Sequence, residues 1–253
     1  MLLAASALLL FLSEISAASK IPLPRPRPAA ASAAPEPAKP LRFEAFVPEE
    51  PSACEKRLAQ IATIQSLQPL AATNGCGALD AVRLEAIILP DKARVALTPP
   101  AILRCPMAEE VAHWIREDVV AAVSALGTTL LGIDNYDSFD CRGRNRVVGA
   151  KLSEHGRANA LDLRGFLLAN KVTAGLTDPA FSRKFREDMR KAACARFTTV
   201  LGPGSDGYHE SHIHLDLAER RGGYRMCQWD IRDPAPEIPL PRPRPAMVGQ
   251  AAE

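Results

Sequence analysis

The nonapeptide Ile-Pro-Leu-Pro-Arg-Pro-Arg-Pro-Ala occurs twice in this chain, at residues 21–29 and again, letter for letter, at residues 238–246. Proline fixes φ and lacks an amide donor, so neither copy can lie inside a helix or an inner strand. Both are predicted to be extended, solvated polyproline II arms. They act as linkers or spacers, or their Arg-Pro repeats give a weak electrostatic hold on an anionic envelope surface or a partner domain. Residues 30–40, rich in Ala and Pro, lengthen the first arm to 19–40. The folding part is thereby confined to residues 41–233, about the size of one domain, with a Pro/Arg-rich tail at 234–253.

Ahead of the first arm stands an apolar run, Met1 to Leu12, followed by the small residues Ser16, Ala17 and Ala18. This pattern predicts a secretory signal over residues 1–18, although no Lys or Arg precedes it. The run is too short to cross a bilayer, so no transmembrane span is expected in the mature chain. Six cysteines, Cys54, Cys76, Cys105, Cys141, Cys194 and Cys227, are widely spaced and form no CxxC pair. In an exported chain such an even set suggests up to three disulfides, and spacing alone does not choose their pairing. A hydrophobic content of 47% supports a core, while 31 basic against 29 acidic residues gives a net charge of only +2. That balance argues against a nucleic-acid partner.

Within the domain, residues 107–126 have helical spacing, with Val111, Trp114, Ile115, Val119 and Val123 near one face. Residues 128–133 read as a short strand, 178–195 as a helix opened by Asp178-Pro179, and 197–201 as a strand before Gly202-Pro203-Gly204. The mixture predicts an α+β domain. There is no GxGxxG, P-loop or GxSxG, so nucleotide-binding and serine-hydrolase functions lack their usual signatures.

Four of the five histidines fall in two short segments, and His113 alone stands apart, as a packing or surface residue on the predicted helix. Around the second segment His212, His214 and Asp216 alternate with Ile213, Leu215 and Leu217, so a strand here would present chemistry on one face and core on the other. The first segment contains His155 and Asp162. A helix would part them by about 10 Å, and a strand by about 23 Å. The chain must therefore turn between them, and Gly156 is expected to provide that turn. After it, Ala158, Ala160 and Asp162 share a face.

His155, Asp162 and His214 together make a set suited to a catalytic Zn2+, since three ligands leave a tetrahedral position open for water. His212 is then a candidate base, and Asp216 an orienting or a surface carboxylate. Arg142, from the cluster Cys141-Arg142-Gly143-Arg144-Asn145-Arg146, is the candidate donor to a developing oxyanion, with Arg144 and Arg146 as alternatives.

Ser-x-His-x(4)-Ala-x-Asp followed by His-x-His resembles the LAS metallopeptidases, which include lysostaphin-type enzymes, D-Ala-D-Ala carboxypeptidases and Hedgehog-like domains. Cys141-Arg142, residues 153–162, residues 200–204 and residues 212–216 further resemble the bacterial extensin-like C-terminal domain family. The resemblance implies a small antiparallel sheet flanked by helices. It also implies zinc on His155, Asp162 and His214, with His212 as base or transition-state stabiliser. Ser153, His209 and Asp216 fall in substrate-binding or supporting places. Peptidoglycan stem peptides are the implied substrates, cut by a carboxypeptidase or endopeptidase in the periplasm or outside the cell. Members of the LAS superfamily usually carry Gly where this chain has Ala158. Two other classes remain open: a catalytically silent envelope-binding module, and a disulfide-stabilised structural protein whose histidines only hydrogen-bond.

Overall fold

The computed structural model describes residues 50–72 and 74–234. The expected signal segment, the first arm and the tail beyond Pro234 lie outside the described residues. In chain order the elements are α1 (Ala53–Leu58), β1 (Ala62–Ser66), β2 (Leu70–Ala71), β3 (Gly77–Ala78), β4 (Ala81–Ile88), β5 (Arg94–Arg104) and α2 (Cys105–Trp114). A π-helical stretch (Ile115–Val119) leads into α3 (Val120–Ser124), followed by β6 (Leu130–Asp137), β7 (Ala160–Leu168), β8 (Thr173–Gly175), α4 (Arg183–Arg196), β9 (Thr199–Leu201), β10 (Ile213–Asp216) and β11 (Met226–Gln228).

The protein is α+β, but its sheet is larger than expected and is mixed. Nine strands run in the order β1-β4-β5-β6-β7-β10-β9-β11, with β8 beside β7. β5–β6 and β9–β11 are parallel and the other pairs antiparallel. The helical run of α2, which has Pro106 in its first turn, the π-helical stretch and α3 returns the chain from β5 to a parallel β6.

Apolar side chains from α2, α3 and α4 meet one face of the sheet, where Trp114 packs with Phe166 and Phe197 at centroid separations of 5.9 and 5.7 Å. Leu161, Leu163, Ile213 and Leu215 point into this core, leaving Asp162, His214 and Asp216 on the opposite face. The predicted helix at 107–126 is present two residues earlier, as α2, the π-helical stretch and α3. The helix predicted from residue 178 begins later. Asp178 instead accepts the amide of Ala180 in a turn, and Ser182 caps α4 by accepting from the amide of Phe185.

The cysteines pair as Cys54–Cys105, Cys76–Cys141 and Cys194–Cys227. Arg186 is fully buried and donates to the main-chain oxygens of Phe181, Arg232 and Pro179. None of the described helices is long and apolar enough to cross a membrane.

Candidate metal centre

β7 and β10 are antiparallel neighbours, and Asp162 and His214 are direct Cα partners. Strand pairing alone therefore puts the carboxylate and imidazole side by side, with Asp162 Oδ1 2.9 Å from His214 Nδ1. His155 arrives from a short 3-10 turn, His155–Arg157, which precedes β7. Its Nε2 lies 3.1 Å from His214 Nδ1 and 3.2 Å from Asp162 Oδ1. All three residues are buried.

The sequence placed the freedom for this turn at Gly156, and the structure moves it. Gly156 lies inside the 3-10 turn, while Ala158 takes the left-handed backbone, with φ 52. Gly156 is small for a different reason: a Cβ there would come within 2.7 Å of Leu152 Cδ1 and 3.3 Å of Cys76 Sγ. Ala158 precedes β7, so the shared strand face starts at Ala160.

Outer partners fix how the two imidazoles present their nitrogens. His155 Nδ1 is 2.5 Å from the carbonyl oxygen of Ser138 and must donate to it, which leaves a lone pair on Nε2. His214 Nε2 donates to Asp216 Oδ2 at 3.0 Å, which leaves the lone pair on Nδ1 whenever the ring is neutral. Two nitrogen lone pairs and a carboxylate oxygen thus converge, an arrangement that attracts a cation. A tetrahedral zinc with bonds of about 2.0–2.1 Å would hold its ligands about 3.3 Å apart, and the triangle here has edges of 2.9 to 3.2 Å. The trio fits a small divalent metal.

The electrostatics agree. Burial raises the Asp162 carboxyl, but the neighbouring His155 and His214 imidazoles outweigh it and hold the group well below the usual carboxylate range. Burial disfavours a charged His214, yet Asp162 and Asp216 push it up from 6.5 to about 9. With no metal, the site draws in a proton as its positive charge. His212 is different: burial, with the neighbouring histidines, lowers it despite the pull of Asp162. Its Nε2 faces Asp162 Oδ2 at 3.4 Å, its Nδ1 is buried without a partner, and its ring lies against Tyr136 and His209.

A cleft of about 640 Å³ opens over the trio. Arg142 lines it, tied by Asp137 at 3.1 Å and Asp140 at 3.0 Å. Arg146 is more exposed and contacts the same two carboxylates, and Arg144 also lines the cleft. Ser153 Oγ accepts the amide of His155 at 3.3 Å, bracing the turn. His209 is anchored to Asp206 at 2.7 Å. His113 is remote from the cleft and pairs with Glu117 on the surface.

The sequence reading missed Ser138, Asp137, Tyr136 and Arg220. Ser138 acts here through a main-chain oxygen, which no residue type signals. Asp137 ends β6 directly opposite Asp162, beyond the predicted end of that strand at residue 133.

No curated protein and no solved structure matches the chain. The family described as Extensin-like protein C-terminus matches residues 52–228, a span that holds the trio, the cleft and all three disulfides, and the chain belongs to that family.

Proposed function

We propose that this protein is a zinc-dependent peptidase that hydrolyses peptide bonds in bacterial cell-wall peptidoglycan, as its resemblance to the LAS metallopeptidases implies. The observation that carries the reading is the convergence of His155 Nε2, His214 Nδ1 and Asp162 Oδ1 beneath a cleft large enough for a peptide segment. Two nitrogens and one oxygen suit zinc. Zinc held there would polarise a substrate carbonyl and lower the pKa of water.

The chain's own residues divide the remaining tasks. His212 is kept neutral by burial, and its Nε2, facing the ligand set, accepts the proton of the attacking water. Arg142, held rigid by Asp137 and Asp140, offers a guanidinium donor to the oxyanion. Asp216 orients His214, Ser153 braces His155, and His209 packs beside His212. Three disulfides and the lack of a membrane-spanning helix among the described residues are compatible with a secreted or envelope protein.

The test is incubation of the zinc-loaded protein with purified sacculi and mass spectrometry of released muropeptides. New peptide species are expected, at a rate that His212→Ala lowers by about 10²–10⁴-fold. Sacculi that bind the protein yet stay uncut would overturn the peptidase and favour a silent wall-binding module.

A further inference from the structure

Four arginines line the cleft, and they are not equivalent. Arg142 and Arg146 are neutralised by Asp137 and Asp140. Arg144 is exposed, and its side chain makes no hydrogen bond among the described residues. Arg220 is fixed without being neutralised. It donates from Nη1 to the main-chain oxygen of Thr198 at 3.1 Å and from Nη2 to Thr199 Oγ1 at 2.5 Å, and no carboxylate among the described residues pairs with it. A guanidinium carries five N–H donors in a planar fork, so anchored donors orient it and leave others for a planar anion.

The sheet order gives Arg220 its place. Its anchor Thr199 is the cross-strand partner of Asp216, the carboxylate that holds His214. Arg142 is anchored by Asp137 on β6, and the ligand-bearing strands β7 and β10 lie between β6 and β9. The metal trio is therefore flanked by two oriented guanidiniums, one already matched by acids and one lacking them.

We propose that Arg220 binds a carboxylate of the substrate on the β9 side of the cleft, making the protein selective for peptides with a negative charge close to the bond cut. This rests on the peptidase reading. The carboxylate could be the peptide's C-terminus, as in a carboxypeptidase, or an acidic side chain, and both present the same two-oxygen face to the fork.

Three probes separate these sources: a stem peptide with free carboxylates, the same peptide amidated at its C-terminus, and the same peptide amidated at its side chains. Binding is measured by calorimetry to the zinc-loaded full chain carrying His212→Ala, and turnover is measured with the native residue. One amidation is expected to weaken binding by about 10–100-fold, and which one does so names the source. In Arg220→Gln, which keeps a donor for Thr198, that preference should shrink to less than about twofold, and Arg220→Lys should recover part of it. Neither amidation mattering in the unsubstituted Arg220 protein overturns the proposal without any question of misfolding. So does an Arg220→Gln variant that loses affinity equally for all three probes. Carboxylate preference without cleavage would sink the peptidase reading and keep Arg220's assignment, whereas cleavage without preference would do the reverse.

Discussion

Two of the trio are held by the sheet, and the third by a loop. Asp162 and His214 are cross-strand partners whose neighbours Leu161, Leu163, Ile213 and Leu215 are packed in the core. Main-chain pairing and core burial fix both side chains at once. His155 has no strand. Its ring rests on one carbonyl, its amide on Ser153, and its turn on the left-handed Ala158. The Cys76–Cys141 bridge packs against Gly156 and ties down the segment that leads to Arg142. Register is a global property that local changes barely disturb, while a loop-borne ligand depends on each local brace.

The largest effect should come from the strand side. Asp162→Ala is expected to reduce bound zinc from about one equivalent to none, read by elemental analysis, while circular dichroism stays native because the β7–β10 hydrogen bonds are main-chain. Next, replacing Cys76 and Cys141 together by Ala should lower zinc affinity by about 10–100-fold and stability by about 2–4 kcal/mol. Removing Cys194 and Cys227 should lower stability and leave zinc affinity unchanged. If both double variants lose zinc equally, the contrast between sheet and loop fails.

A smaller change is expected from Asp216→Asn, which keeps a hydrogen-bond acceptor for His214 but removes its charge, for about a tenfold loss of affinity by competition titration. The same carboxylate helps hold the metal-free His214 at about 9, above its ordinary 6.5. That raised pKa contributes stability that is complete below pH 6.5 and disappears as pH rises through about 9. Thermal unfolding of metal-free protein should show this loss, with its midpoint shifted to lower pH in Asp216→Asn. Zinc uptake at pH 7 should release a proton, measurable with an indicator buffer.

Smallest of all is Ala158→Gly. Relief of left-handed strain, about 1–2 kcal/mol, is partly offset by glycine's chain entropy, about 0.5–1 kcal/mol. The net gain should be about 0.5 kcal/mol, seen as a slightly higher unfolding midpoint.

The sequence made β10 legible because His214 and Asp216 alternate strictly with Ile213 and Leu215 on a short, half-apolar strand. The helix at 107–126 was legible for the analogous reason, an apolar stripe at helical spacing. β1, β4 and β5 were not recognised. β4 reads Ala-Val-Arg-Leu-Glu-Ala-Ile-Ile, and its alternation over residues 82–86 breaks where Ala86 and Ile87 are both buried, beyond a register shift between Leu84 and Ala86. The mixed sheet followed from them, since the parallel β5–β6 pair cannot be inferred without β5. At the site, side-chain identities pointed to His155, Asp162 and His214. What aims them was hidden, because a carbonyl of Ser138 and a left-handed alanine carry no residue-type signature. Arg220 was hidden too, lying in a run of charge, Glu219-Arg220-Arg221, that resembles any solvated surface.

Arg186 bears on where this domain can be cut. The family match ends at residue 228 and β11 at Gln228, which invites a fragment ending there. Such a fragment would delete the Arg232 carbonyl and leave one donor of an enclosed cation empty, at about 1–3 kcal/mol. It would also remove Trp229, which is 3% exposed. The practical terminus for expression is therefore set by a guanidinium's need for oxygen and not by the last strand.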